Sequence, residues 1–300
     1  MKSMDDVLRE AQSRSWSSLE ELNAWLAEKT RLHNTRPQKE IGGLSPDQAR
    51  RLLAGDWETH GPLTLNTSLQ MEDLRHARFF TNAQAFLRAI GDAGKVKATS
   101  AGNLNRNFVG QMLERLDLDF EWLEILQNYR RVINEKDVFP LRVLRVILES
   151  AGLIKRRSGT FSLTKKGAVL AKDEAAGALY AHLFRIFFRR FNLAYLDGCP
   201  SNHALQSTVA VTLYRIGREE GSWTRPKALA DRTLHPAAFG VDYDWNEEDY
   251  AYLQFELRIV RPLIGFGLME KRDVASEKPY RSEFETRKSA LLDRFLEFEF

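Results

Sequence analysis

Cysteine is almost missing from this chain: Cys199 is the only one in 300 residues. No internal disulfide can form, and a structural zinc site would have to be assembled nearly without thiolate. Histidine is scarce as well, and His33, His60, His76, His182, His203 and His235 never stand at metal-ligand spacing. Cys199 with His203 is a single pair, so neither a metal nor a cofactor is expected. Long apolar runs are also lacking. The densest, Leu183 to Phe188, is interrupted by Arg185, and the opening MKSMDDVLREAQ has no apolar core of an export signal. Neither membrane spanning nor export is expected, and with so little cysteine the chain reads as cytoplasmic. Catalytic signatures are absent too. No GxSxG, HExxH or GxGxxG occurs, and GDAGKV at 91–96 lacks the GxxxxGK[ST] pattern of a phosphate loop. No enzymatic activity is expected. The acidic run Asp242, Asp244, Glu247, Glu248 and Asp249 could suit a divalent cation, but a helix start favours carboxylates there anyway.

What remains is an ordinary globular composition, 43% apolar and 28% charged, long enough for two or three modest cores. Charge is unevenly spread. Residues 1–60 carry 9 basic and 10 acidic side chains, 61–137 carry 10 and 10, 138–199 carry 11 and 4, and 200–300 carry 14 and 17. The segment from 138 to 199 is therefore +7 while the others lie between −3 and 0, a field that favours polyanions.

That segment contains the most legible stretch, Leu141 to Ala171. Leu141, Leu144 and Leu148, with Val143, Ile147 and Ala151, follow the spacing of a helix with a wide buried face, and Gly152 ends it. Leu153–Arg156 and Thr160–Leu163 read as strands joined through Arg157, Ser158 and Gly159, with positive φ expected at Gly159. Thr164 is a helix cap for Lys165, Lys166 and Gly167. Helix, basic two-stranded wing and capped helix make the back half of a winged-helix domain.

The fold class expected is mainly α with short β-hairpins, as multiple winged-helix-like units packed on a helical scaffold. Residues 1–60 form a helical module, with starts at Ser17 or Ser18 and at Ser45, where Pro46 and Gln48 complete a capping pattern. Residues 61–137 form a degenerate winged-helix-like unit: extended GPLTLNTSL, a helix from about Met71 to Ile90, a short strand, then Thr99 as a second cap. Residues 138–200 hold the central unit and a phenylalanine-rich helix, Leu179 to Leu196, that must be buried on several sides. Residues 201–300 form a C-terminal unit with helices at 205–219 and 224–230. Its third helix is capped by Asn246, and wing strands follow at 267–271 and 281–284. In that third helix Leu253, Leu257, Val260 and Ile264 are expected inward, with Gln254, Arg258 and Arg261 on another face.

At LSPDQARRLL (44–53), TSAGNLNRNFV (99–109) and LTKKGAVL (163–170) the chain resembles bacterial and plasmid-borne proteins, including the plasmid ORF-3-like group, over roughly residues 40–200. The resemblance implies a mobile-element setting and winged-helix-like units. It carries no activity and no site residue.

The functional expectation is a regulator or mobile-element accessory that binds double-stranded DNA. Arg142 and Arg145 on the helix and Lys155, Arg156, Arg157, Lys165 and Lys166 around the wing would reach phosphates. Gln254, Arg258 and Arg261 are candidates to read base edges, but the net acidity of their unit and the bend at Pro262 favour a structural or subunit-contact role for them. The alternative is an interaction scaffold or homodimer whose phenylalanine-rich helices bury surface against a partner protein.

Overall fold

The computed structural model describes residues 4–118, 124, 132–239, 247–275 and 283–300. The architecture is mainly helical with short antiparallel strand pairs. The N-terminal helices are α1 (Met4–Ser13), α2 (Leu19–Thr35) and α3 (Pro46–Ala54). Ser18 caps α2, and Ser45 with Gln48 forms a reciprocal capping box on α3 behind Pro46, as the spacing predicts.

Strand β1 (Leu63–Leu65) leads into α4 (Arg78–Ala93), which starts later than the periodicity predicts because 71–76 is a run of turns. There follow β2 (Val96–Lys97), α5 (Arg106–Leu113), α6 (Phe139–Ser150), β3 (Ile154–Arg157) and β4 (Thr160–Leu163). The strands make one sheet in the order β2-β4-β3. Val96 stands opposite Phe161, and Lys97 opposite Thr160. A single sheet thus crosses the expected boundary at 137/138, so 61–137 and 138–200 are not separate units of structure. Nor does Thr99 launch a helix. Its hydroxyl accepts from the Asn103 amide inside a turn, and Asn105 caps α5 instead.

The hairpin itself is locally determined. Ser158 and Gly159 both take positive φ, the requirement of a two-residue turn matching strand twist. Gly152 (φ 68°) stops α6, and Leu153 donates back to Leu148 at 3.0 Å. Thr164 accepts from the Gly167 amide at 2.9 Å and so caps α7 (Lys165–Leu170).

The phenylalanine-rich α8 (Ala176–Arg189) is the spine. Tyr180, Phe184, Phe187 and Phe188 are buried, and Phe184 and Phe187 meet Phe266 edge-on at 5.3 and 5.5 Å. The Tyr180 hydroxyl donates to the Phe266 carbonyl at 2.6 Å. One continuous apolar core therefore joins both sides of α8.

Beyond it come α9 (His203–Ser207), α10 (Val209–Gly217), α11 (Pro226–Thr233), α12 (Glu247–Phe255), a π-helical turn at Glu256–Val260, α13 (Arg261–Gly265), β5 (Met269–Val274), β6 (Glu283–Lys288), α14 (Ala290–Phe295) and β7 (Leu296–Phe298). The expected cap Asn246 and the acidic pair Asp242 and Asp244 lie outside the described residues. Among the described residues this region repeats the earlier plan: helix, a bridge from Thr224 to Thr286, further helices, a hairpin, and a helix that starts after Ser289. The joints correspond in detail. Gly267 (φ 72°) stops α13 as Gly152 stops α6. The Thr164 hydroxyl donates to the Gly152 carbonyl and the Ser289 hydroxyl to the Gly267 carbonyl, both at 2.7 Å. Finally β7 pairs antiparallel with β1, Leu63 opposite Phe298, a closure between distant segments that no local pattern announced.

Candidate nucleic-acid interface

The sheet of the first unit has one buried and one open face, because side chains alternate along a strand. Phe161, Val96 and Ile154 point into the core. Lys97, Thr160 and Arg157 then share a cross-strand row on the opposite face, with Ser162 and Lys155 in the next. Lys97, Lys155 and Arg157 are all exposed, and exposed Lys95 continues the alternation before β2. None of these four pairs with a carboxylate among the described residues. Like charges this close on a sheet would be costly without water or an anion to screen them. The two hydroxyls between them add polar groups suited to phosphate oxygens.

The expected residues divide sharply against this face. Lys155 and Arg157 belong to it. Arg156 lies on the other side, opposite Phe161, where its guanidinium reaches over the edge to donate to the Gly102 carbonyl at 3.1 Å. Lys165 and Lys166 are exposed in the first turn of α7. Arg142 is half-buried with its guanidinium 5.5 Å from the Tyr195 ring.

Arg145, by contrast, is buried and holds two acids, Glu135 and Glu149. Glu135 is itself fully buried and accepts the Leu104 amide as well. Arg145 is thus a tie between α6 and the 99–104 loop, and its charge is spent inside the fold. Gln254 and Arg258 are corrected in the same way: each is 1% exposed. Arg258 grips Asp197 with two bonds at 2.7 and 2.8 Å and donates to the carbonyls of Cys199 and Pro200. The Gln254 side-chain carbonyl accepts from Asn202 at 2.9 Å. The face expected inward is turned outward at Leu253, which is 37% exposed. The reason is the 197–202 segment, which lies against Gln254 and Arg258 and offers them a carboxylate and carbonyls. The π-helical turn then changes the phase of everything after Phe255. Arg261 is exposed but paired with Glu256 at 2.8 Å.

Lys97 and Lys95 were missed. Their signal was the alternation Lys-Val-Lys at 95–97, legible as a strand with one basic face, but only the pairing with β4 brings that face beside Arg157.

The C-terminal hairpin is the internal contrast. Arg272 pairs with Glu285, Arg287 with Glu270, and Lys271 with Asp273. Both arginines also flank the Trp223 ring, at 4.7 and 4.6 Å. Arg272, Arg287 and Lys271 are thus compensated, whereas Lys97, Lys155 and Arg157 have no carboxylate partner among the described residues. Among the described residues no group of three or more His, Cys, Asp or Glu side chains could hold a metal ion, and no helix is long and apolar enough to cross a membrane.

Residues 75–176 match the family model of the Y4jL N-terminal domain. That span runs from just before α4 to the turn after α7, so it encloses the whole three-stranded unit. No curated protein and no solved structure matches the chain.

Proposed function

We propose that the chain is a non-catalytic DNA-binding protein built from two winged-helix units, of which the first grips the duplex backbone through the open face of its sheet. The carrying observation is that Lys97, Lys155 and Arg157, with Lys95 beside them, are exposed on one face of the sheet with no carboxylate paired to any of them among the described residues. Among the described residues the element order around it, a helix, a strand, helices α5 and α6 and a hairpin whose last strand pairs with the first, supports the winged-helix reading. Cations of this kind bind by releasing counterions, which gives affinity without sequence information. Of the candidates to read base edges, Gln254 and Arg258 are buried and Arg261 is paired with Glu256, so a backbone-dominated, weakly selective grip fits best.

Fluorescence anisotropy with a labelled random duplex tests this. Engaging about four phosphates lowers affinity about a hundredfold between about 50 and 200 mM salt, with a log–log slope near −3.6. The variant Lys97→Glu/Lys155→Glu/Arg157→Glu, with wild-type circular dichroism, loses the binding. A protein scaffold would instead show no salt-sensitive retention of duplex and a stable oligomer by light scattering.

A further inference from the structure

The loop from Gly55 to Gly61 carries two neighbouring side chains in opposite directions. Its neck is closed by the two glycines, since a Cβ on Gly61 would stand 2.6 Å from the Gly55 Cα. Its hub is Asp56, whose carboxylate accepts the amides of Glu58 (2.9 Å), Thr59 (2.8 Å) and His60 (2.9 Å) and the Thr59 hydroxyl (2.8 Å). With its backbone at φ 64°, Trp57 drives its ring into the core, where Arg189 lies 5.4 Å from it and the indole N–H has no acceptor among the described residues. Glu58 stays outside and pairs with Arg185 of α8.

Behind that ion pair lies a cavity of about 230 Å³. Trp57, Leu65, Leu170 and Ala181 make its apolar walls, and Lys166, His182 and Arg185 its polar end. His182 is fully occupied as a neutral ring: Nε2–H donates to the Ala151 carbonyl at 2.8 Å, and Nδ1 accepts from Arg185 at 3.3 Å. Burial, helped by the charges of Lys166 and Arg190 and opposed by the bond to Ala151, pushes the ring below its usual range. Burial and Arg190 likewise push Lys166 and Arg185 below their usual ranges. The polar end is therefore short of negative charge, and Glu58 is the acid that reaches it.

We propose that this cavity binds a small carboxylic acid with a compact apolar body, whose carboxylate takes the place on Arg185 that Glu58 holds, with Lys166 as second contact. Arginine meets carboxylates in a fixed planar geometry, so a ligand carboxylate can reproduce what Glu58 does. The volume falls below the roughly 300–1,000 Å³ that houses drug-sized ligands, which favours a body the size of one ring.

Isothermal titration calorimetry with benzoate, and with benzamide as its uncharged counterpart, tests the assignment on the full chain. Benzoate binds one-to-one, and benzamide binds at least about tenfold more weakly. Glu58→Gln removes the internal competitor and tightens benzoate severalfold, a gain that a misfolded variant cannot produce. Arg185→Gln, checked for wild-type thermal unfolding, weakens benzoate at least about tenfold. Equal binding of benzamide, no saturable benzoate heat, or an unchanged affinity in Glu58→Gln would each overturn the proposal. So would inorganic phosphate displacing benzoate at equal concentration.

Discussion

Arg258 illustrates how little a side chain's formal charge says about its role. It occupies the interior beside Asp197, and both are almost fully shielded from water. Removing one partner of such a pair leaves a buried charge unmatched, so Asp197→Ala is expected to cost about 3–5 kcal/mol, read as a lowered urea midpoint. The double variant Asp197→Ala/Arg258→Leu should recover part of that loss, because no naked charge remains. Asp56 gives a second prediction for one side chain. Its amide and hydroxyl donors hold its carboxyl well below the usual carboxylate range. A depressed folded pKa means that stability is present above the unfolded value, near 4, and fades as pH falls toward the folded one. The gap in melting temperature between wild type and Asp56→Ala should therefore be full at neutral pH and shrink below about pH 4. Arg156 and Arg157 give a third, since adjacent residues on a strand face opposite ways: Arg157→Gln should weaken duplex binding more than Arg156→Gln in the anisotropy titration.

Among elements, what could be read from the chain is what short-range chemistry determines. Gly152, Ser158–Gly159 and Thr164 each act within a few residues, and all three joints stand where the spacing predicts, with the first strand displaced by a single residue. The capping box at Ser45 is of the same kind. Illegible features depended on partners far along the chain. Gln254 and Arg258 fell on a polar stripe of their helix, and only the arrival of the 197–202 segment turns that stripe inward. The basic strand β2 needed β4 to become part of a face. Gly167 combines both cases. Its place in the first turn of α7 is local, yet a Cβ there would run into the Leu153 carbonyl oxygen. Gly167→Ala must push α7 away from the hairpin, an overpacking cost of about 1–3 kcal/mol, measurable as a shift in urea midpoint without a change in slope.

Across the molecule, two units of one plan have diverged in charge. On the open face of its sheet the first leaves Lys97, Lys155 and Arg157 without a carboxylate partner among the described residues, and the second closes Arg272 and Arg287 into pairs with Glu285 and Glu270 around Trp223. Arg287→Gln should accordingly leave duplex affinity unchanged to within about twofold, since a surface pair contributes little beyond itself. The ladder between β1 and β7 adds a consequence for how the protein comes apart. One of its strands precedes the first unit and the other follows the second, so the polypeptide is buckled like a belt around both. The buckle ties the opening of one unit to that of the other. Amide protons in β2–β4 and in β5–β6 should therefore exchange with deuterium through one shared opening event, at a common rate set by the whole chain.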